Sequence, residues 1–326
     1  MVRMMSVIAL RFFCCLFTFL VVVRCAHPSA ILQDRMNSHN HMRRHVADGN
    51  GPCVTFSRVG ELGRLGNQIF QVASTIGVAE KRDLCWFFTG RITDSSVSRL
   101  FDIPARSGTF EGLLIVHVEE RQDFYEVTLP ELQHGKHHDL YGYFQSPEYF
   151  EYSRATLASI FRPRPSLVNE VEATLPVVKL PNTVAIHVRR GDYVHLSQYN
   201  LLSVQYYQEA LSLIEGATSA IVVSDDINWC KTNMEHALFA LGYTTVVYSP
   251  FEDDIYDFVV LYLAHHLVMS ASSFTWWAAY LKSLAKLRQQ QSGKVIAPAT
   301  WYNSTGDFAY LNRKSFYHSS WVLLDT

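Results

Sequence analysis

Apolar positions change their spacing along the chain in a regular way. Thr183–Val188 is a continuous apolar run, and Val204–Ile214 repeats its apolar residues at helical spacing. The two patterns then alternate: strand Ala220–Ser224, helix Asn228–Leu241, strand Thr244–Tyr248, helix Asp253–Ala264, a short strand near Leu267–Met269, helix Phe274–Leu287 and strand Val295–Ala297. The first half opens the same way, with strand Val54–Val59, a glycine loop, helix Ile69–Lys81 and strand Leu84–Phe88, and is harder to read beyond residue 89. Such alternation implies an α/β fold, a parallel sheet covered on both faces, with ligands beyond the carboxyl ends of the strands. Pro163 and Pro165 mark the boundary between the halves.

The amino end breaks this pattern. Apolar residues run from Val7 to Val23, interrupted by Arg11, with Arg3 before and Arg24 after. A full span needs about 20 predominantly apolar residues, so a cleavable signal peptide competes with a signal anchor whose Arg11 snorkels to the interface. Arg24-Cys25-Ala26 is a poor cleavage site, which favours the anchor, and either reading sends the body to the secretory lumen. Residues 25–52 are polar and aperiodic and read as a stem, in which His41 and His45 are solvated linker residues.

Composition narrows the function. Aromatic residues make up 13% of the chain and hydrophobic ones 48%, which argues for a folded body rather than a disordered one. A formal net charge of −2 leaves no general footprint for nucleic acid, so basic residues must act locally. Cys14 and Cys15 lie in the apolar segment and Cys25 at its edge. One bridge among Cys53, Cys85 and Cys230 is expected in an oxidising lumen, with its pairing open. Asn303-Ser304-Thr305 is a glycosylation sequon.

Chemistry concentrates in four places. His187-Val188-Arg189-Arg190-Gly191-Asp192 ends a predicted strand, where two guanidiniums before a glycine turn suit a phosphate, since their planar forks match its oxygens. Gly60–Gln68 joins a strand to a helix, and glycines there allow close backbone approach beside free N–H groups. It is neither a Walker loop nor a dinucleotide fingerprint. Ser224-Asp225-Asp226 ends another strand, where a carboxylate can accept from a ribose hydroxyl or a guanine edge, or Asp226 can cap the next helix. Ser270–Trp277 opens a helix, with Ser272 or Ser273 as N-cap or phosphate ligand. Phe274, Trp277, Leu281 and Leu284 follow a core stripe, and Trp276, off that stripe, is a candidate for stacking on an acceptor sugar. His134, His137 and His138 are expected on an exposed loop. Asp-x-Asp, Gly-x-Ser-x-Gly and HExxH are absent, so the charge of a diphosphate would fall to arginine and helix dipoles.

Taken in order, Gly63–Gln71, His187–Tyr193, Ser224-Asp225-Asp226 and Ser270–Trp277 closely resemble the α-1,2-fucosyltransferases, glycosyltransferase family 11. The resemblance implies a Golgi type II membrane enzyme with a GT-B-like pair of Rossmann-like domains facing a cleft. It would move L-fucose from GDP-β-L-fucose to the 2-hydroxyl of a terminal galactose, with inversion and no obligatory metal or other cofactor. The divisions would be residues 1–24 as cytosolic end and anchor, 25–52 as stem, 53–165 as acceptor-side domain and 166–326 as GDP-fucose-binding domain. By the same similarity Arg189 would bind the diphosphate and Arg190 and Asp192 would support the site. His187 with Asp225 or Asp226 would contact guanine, Ser272 or Ser273 the phosphate, and Gly66-Asn67-Gln68 would line the cleft from the other domain. The general base stays open, with Asp192 and Glu61 among the candidates. A fucosyltransferase of another linkage or acceptor, or a silent glycan-binding relative, is the alternative.

Overall fold

A computed structural model describes residues 52–105, 114–120, 136–289, 293–305 and 314–326. The expected anchor and stem, apart from Pro52, lie outside these residues, as does His134. Among the described residues no helix is long and apolar enough to cross a membrane.

The first half contains β1 (Cys53–Thr55), α1 (Leu65–Glu80), β2 (Cys85–Phe87), α2 (Ser96–Leu100), β3 (Leu114–Glu119) and β4 (Lys136–Tyr141). Its four strands are all parallel, in the order β2-β1-β4-β3. Helices α3 (Arg154–Ile160) and α4 (Pro165–Thr174) follow, with Pro165 at the first helical position, where its missing N–H costs nothing. The second half contains β5 (Thr183–Val188), α5 (Val204–Ser212), β6 (Ser219–Ser224), α6 (Ile227–Ala240), β7 (Thr245–Tyr248), α7 (Asp254–Leu263), β8 (His266–Val268), α8 (Ser273–Gln289), β9 (Val295–Pro298) and β10 (Val322–Leu324). These strands too are parallel, in the order β10-β9-β8-β5-β6-β7.

That order decides where a ligand can sit. From β5 the chain winds outward to β6 and β7, then returns to place β8 on the other side of β5. The loops leaving β5 and β8 therefore run in opposite directions and open a crevice beyond the strand ends. The first sheet has the same reversal between β1 and β4, so the loop after β1 stands at its crevice. β5 reads as an unbroken apolar run because both its faces are covered: Val184, Ile186 and Val188 join one core, and Ala185 the other.

The core that Ala185 joins spans both sheets, centred where α1 crosses α8. Phe70 lies 4.9 Å from both Trp276 and Trp277, and Phe150 lies 5.1 Å from Trp277. Nearly every residue of α1 is buried, which explains the all-round apolar character of Ile69–Ala79.

Three of the expectations change or sharpen in the folded chain. His137 and His138 are buried in β4 and not on a loop, because β4 lies between β1 and β3 with both faces covered. The neighbouring Asp139 is satisfied by the Ser57 N–H at 2.8 Å and the Ser57 hydroxyl at 2.6 Å. Trp276 is no sugar platform: it is fully buried, and its indole N–H donates to the Phe316 carbonyl at 2.9 Å. The helix face that looked free from its periodicity is covered by the segment Lys314–Trp321. The disulfide joins Cys53 to Cys85, neighbours on paired strands, and Cys230 is free and buried.

Candidate active site

A cleft of about 460 Å³ opens where the loops after β1, β5, β6, β7 and β8 meet. Its walls include Gly63, Arg64, Gly66, Asn67, His187, Arg189, Asp192, Asp225, Ser272 and Ser273. Arg190, Asp226 and Gln68 stand behind that wall. The four stretches separate in sequence are thus brought together, although not every residue named in them faces the ligand space.

Arg189 is the cation at the centre. Its Nη1 lies 2.7 Å from Asp225 Oδ2, and its Nη2 donates to Asp192 Oδ1. Its guanidinium lies 5.1 Å from the centre of the Tyr193 ring, and Tyr193 in turn stacks on Tyr199 at 4.1 Å. Two of the five N–H donors of a guanidinium go to these carboxylates, and the rest remain for an anion. Arg190 serves the scaffold: it lies over the Trp229 ring at 3.9 Å and pairs with Asp226 at 3.4 Å, while its backbone N–H donates to Asp225 at 2.8 Å. Asp226 also caps α6, accepting from the Trp229 N–H at 3.1 Å. Gly191 is needed for this arrangement, since a Cβ there would collide with Asp225 Oδ2.

Two helix N-termini point into the same space. α1 begins after Gly60 and Gly63, both at positive φ, and Arg64 at its N-cap supplies no side-chain cap; the Asn67 N–H donates to the Arg64 carbonyl at 2.9 Å, and the Leu65 and Gly66 N–H groups before it stay available. α8 begins at Ser273. The two are locked together by close approach: a Cβ on Gly66 would stand 2.5 Å from Phe274 N and 2.6 Å from Ser273 Oγ. Asn67 Oδ1 accepts from Ser273 Oγ at 2.9 Å and from Gln145 Nε2 at 2.5 Å, which ties both helices to the segment after β4. Gln68 points away and accepts from the buried Val97 N–H at 3.1 Å, so it holds α2 and not the ligand.

His187 is buried, and its Nδ1 lies 2.7 Å from Ser270 Oγ, a hydrogen bond that spans the β5–β8 reversal. Burial, then the charge of Arg189, lowers its imidazole to about 3, so it is neutral at physiological pH. Of the two carboxylates considered as bases, Asp192 lines the cleft, while Glu61 pairs with Arg58 and Arg91 outside it.

Sequence patterns do not reveal the far wall. Phe251, Glu252, Asp254 and Asp257 line the end beside β6 and β7. Asp257 accepts from the Ser249 hydroxyl, and burial, with help from Asp254 and Asp253, raises its carboxyl to about 7. It carries no signal in the chain because it sits on α7 among apolar residues, two residues after Ile255 and beside Phe258. Arg64, Gln145 and Tyr199 are further cleft residues of this kind, and only Arg64 carries a signal, a lone cation inside a glycine loop.

Comparison with known proteins gives a consistent result. The model of glycosyl transferase family 11 matches residues 119–325, more than half of the chain. An Escherichia coli alpha-1,2-colitosyltransferase is 29% identical over 168 residues, covering 49% of this chain and 55% of that protein. The galactoside alpha-(1,2)-fucosyltransferase 2 of Hylobates lar is 26% identical over 241 residues, 68% of each chain. The chain spans less than two thirds of the length of the Escherichia coli relatives, 55% and 60%. In fold it is similar to crystalline POFUT1 in complex with GDP, with a TM-score of 0.50 at 12% identity over 77% of this chain and 98% of that one.

Proposed function

The chain belongs to glycosyl transferase family 11, and we propose that it transfers L-fucose from GDP-β-L-fucose to the 2-hydroxyl of a terminal galactose, inverting the anomeric carbon. The observation that carries this reading is the convergence of Arg189 with the N-termini of α1 and α8 on one cleft. In the reaction the galactose oxygen bonds to C1 of fucose as the bond from C1 to the diphosphate oxygen breaks. The bonding pair leaves with GDP, and the hydroxyl proton passes to a carboxylate, for which Asp192 is placed at the cleft. Charge grows on the departing oxygen while the sugar becomes oxocarbenium-like, so donors already aimed at that oxygen lower the barrier. Arg189, the N–H groups of Gly66 and Ser273 and the Ser272 hydroxyl supply them, with no obligatory metal. Arg190 and Asp226 hold the wall from behind. The apolar run in residues 1–24 supports a lumenal position for this unit, and the family resemblance implies a Golgi-membrane one.

The base end is assigned by comparing Asp225 and Asp226 with Asp257. Asp225 is held by Arg189 and the Arg190 N–H, and Asp226 by α6 and Arg190, so neither is free to read a guanine edge. Asp257 lines the cleft, as do Phe251 and neutral His187, and is engaged through a hydroxyl donor, which leaves acceptor capacity for paired N–H groups. The carboxylate exists above about pH 7 and is lost below it. GDP-fucose affinity is therefore expected to fall on acidification from pH 8 to pH 6, a range in which its doubly esterified diphosphate does not titrate. Asp257→Asn should weaken binding about tenfold at pH 8, as for a lost charged hydrogen bond, and abolish the pH dependence. Calorimetric titration across that range checks both, and an unchanged pH profile in the variant would remove Asp257 from the base end.

The whole reading is tested by incubating the full chain with labelled GDP-fucose and a panel of galactosides, with and without EDTA. Transfer that survives EDTA and is reversed by an α-1,2-fucosidase is expected. Tight GDP binding with no transfer to any galactoside would instead favour a silent glycan-binding relative.

A further inference from the structure

Glu120 does not line the cleft, yet it fixes a segment that enters it. Its backbone N–H donates to the Tyr141 carbonyl at 2.8 Å, a rung that continues the β3–β4 pairing past the end of β3. Its side chain then turns onto the chain leaving β4: one carboxylate oxygen accepts from the N–H groups of both Tyr143 and Phe144 at 2.7 Å. The backbone is bent to allow this. Gly142 lies at φ +150°, and Phe144 at φ +50°, a strained value for an aromatic residue. A Cβ on Gly142 would collide with Glu120.

α1 holds the carbonyls of the same turn. Gln71 Nε2 donates to the Gly142 carbonyl at 3.3 Å and to the Leu62 carbonyl at 3.1 Å, and Ser74 Oγ donates to the Phe144 carbonyl at 3.3 Å. The Phe144 ring is fully buried, edge-to-face with Phe56 and Tyr149. Strain of this kind persists only where surrounding contacts over-determine it, and it clusters at functional sites. The residue that follows is Gln145. It lines the cleft, and its Nε2 donates to Asn67 Oδ1 at 2.5 Å, the atom that also accepts from Ser273 Oγ at 2.9 Å. A continuous path of hydrogen bonds and chain thus runs from Glu120 through Phe144 and Gln145 to the N-termini of α1 and α8.

We infer that Glu120 is a positioning residue for the transfer reaction: by pinning the backbone at Tyr143 and Phe144 it holds Gln145 on Asn67 and keeps the two helix N-termini converged on the leaving group. The inference rests on the fucosyl-transfer reading above. Glu120 acts only through Gln145.

The test is a double-mutant cycle on the full chain, read as kcat/KM for GDP-fucose with a galactoside acceptor, as the Kd for GDP and as a thermal midpoint. Glu120→Ala and Gln145→Ala should each lower kcat/KM about tenfold, less than the roughly hundredfold cost of a 1 Å misplacement, and GDP affinity should fall with it. The double variant should show that loss once and not twice over, because both changes release the same side chain. Glu120→Gln should restore activity, since an amide oxygen still accepts from the two N–H groups. Glu120→Asp, one methylene shorter, should not restore it, and it carries the test where the alanine variant fails to fold. Losses that multiply in the double variant overturn the inference. So does wild-type kcat/KM in a folded Glu120→Ala or Glu120→Asp chain, which would make Glu120 merely structural. A wild-type chain that binds GDP but never transfers fucose defeats the fucosyl reading alone, and the same cycle read in GDP affinity then decides the inference.

Discussion

Replacing Arg189 by lysine is expected to reduce fucose transfer about 30- to 1,000-fold, on the order of 2–4 kcal/mol of transition-state stabilisation. An ammonium keeps the charge but not the fork. Arg189 spends one N–H on Asp225 and one on Asp192 and still offers donors to the diphosphate, whereas a lysine has three donors on a single nitrogen and cannot span the same partners. It also loses the guanidinium stacked on Tyr193, which holds the group in place before substrate arrives. The measurement is kcat/KM beside a thermal midpoint. Turnover at the wild-type rate in a folded Arg189→Lys chain would show that the leaving group departs elsewhere.

Gly66→Ala should be nearly as damaging, and its sign runs against helix propensity. In a free helix alanine is favoured over glycine by about 1 kcal/mol. At this position the new methyl would stand 2.5 Å from Phe274 N and 2.5 Å from Ser273 C. Those are backbone atoms at the start of α8, and they cannot step aside as a flexible side-chain tip would. Overpacking of this kind costs about 1–3 kcal/mol, which outweighs the propensity gain. The larger effect is on geometry. The α1 and α8 N-termini must separate by a fraction of an ångström, which breaks the Asn67–Ser273 bond and spreads the donors meant to converge on the diphosphate. A misplacement of about 1 Å can cost roughly a hundredfold in rate, so a loss of that order is expected with the chain still folded. A variant as active and as stable as wild type would mean that the contact between these helices does not matter to catalysis.

Much of this protein is legible in the order of its residues. Alternating strand and helix periods in residues 183–297 follow from burial on both faces of a parallel sheet, a local property of each segment, and the observed elements fall within a few residues of the predicted ones. The motif residues are legible for a similar reason. Glycine, arginine and serine at strand ends and helix starts carry their chemistry wherever the chain takes them, and eight of the eleven residues named from sequence line one cleft: Gly66, Asn67, His187, Arg189, Asp192, Asp225, Ser272 and Ser273.

What the tertiary structure alone decided depends on partners distant in the chain. Whether a polar strand is buried depends on its neighbours, so Lys136–Tyr141 reads as a loop and yet sits between two strands. Whether Trp276 is free depends on a segment 40 residues later. Which aspartates keep acceptor capacity depends on which ones the arginines have already taken, and that pairing is made in space. The sequence by itself determined the kind of chemistry. Burial and pairing across long separations determined which residue of each kind is left free to perform it.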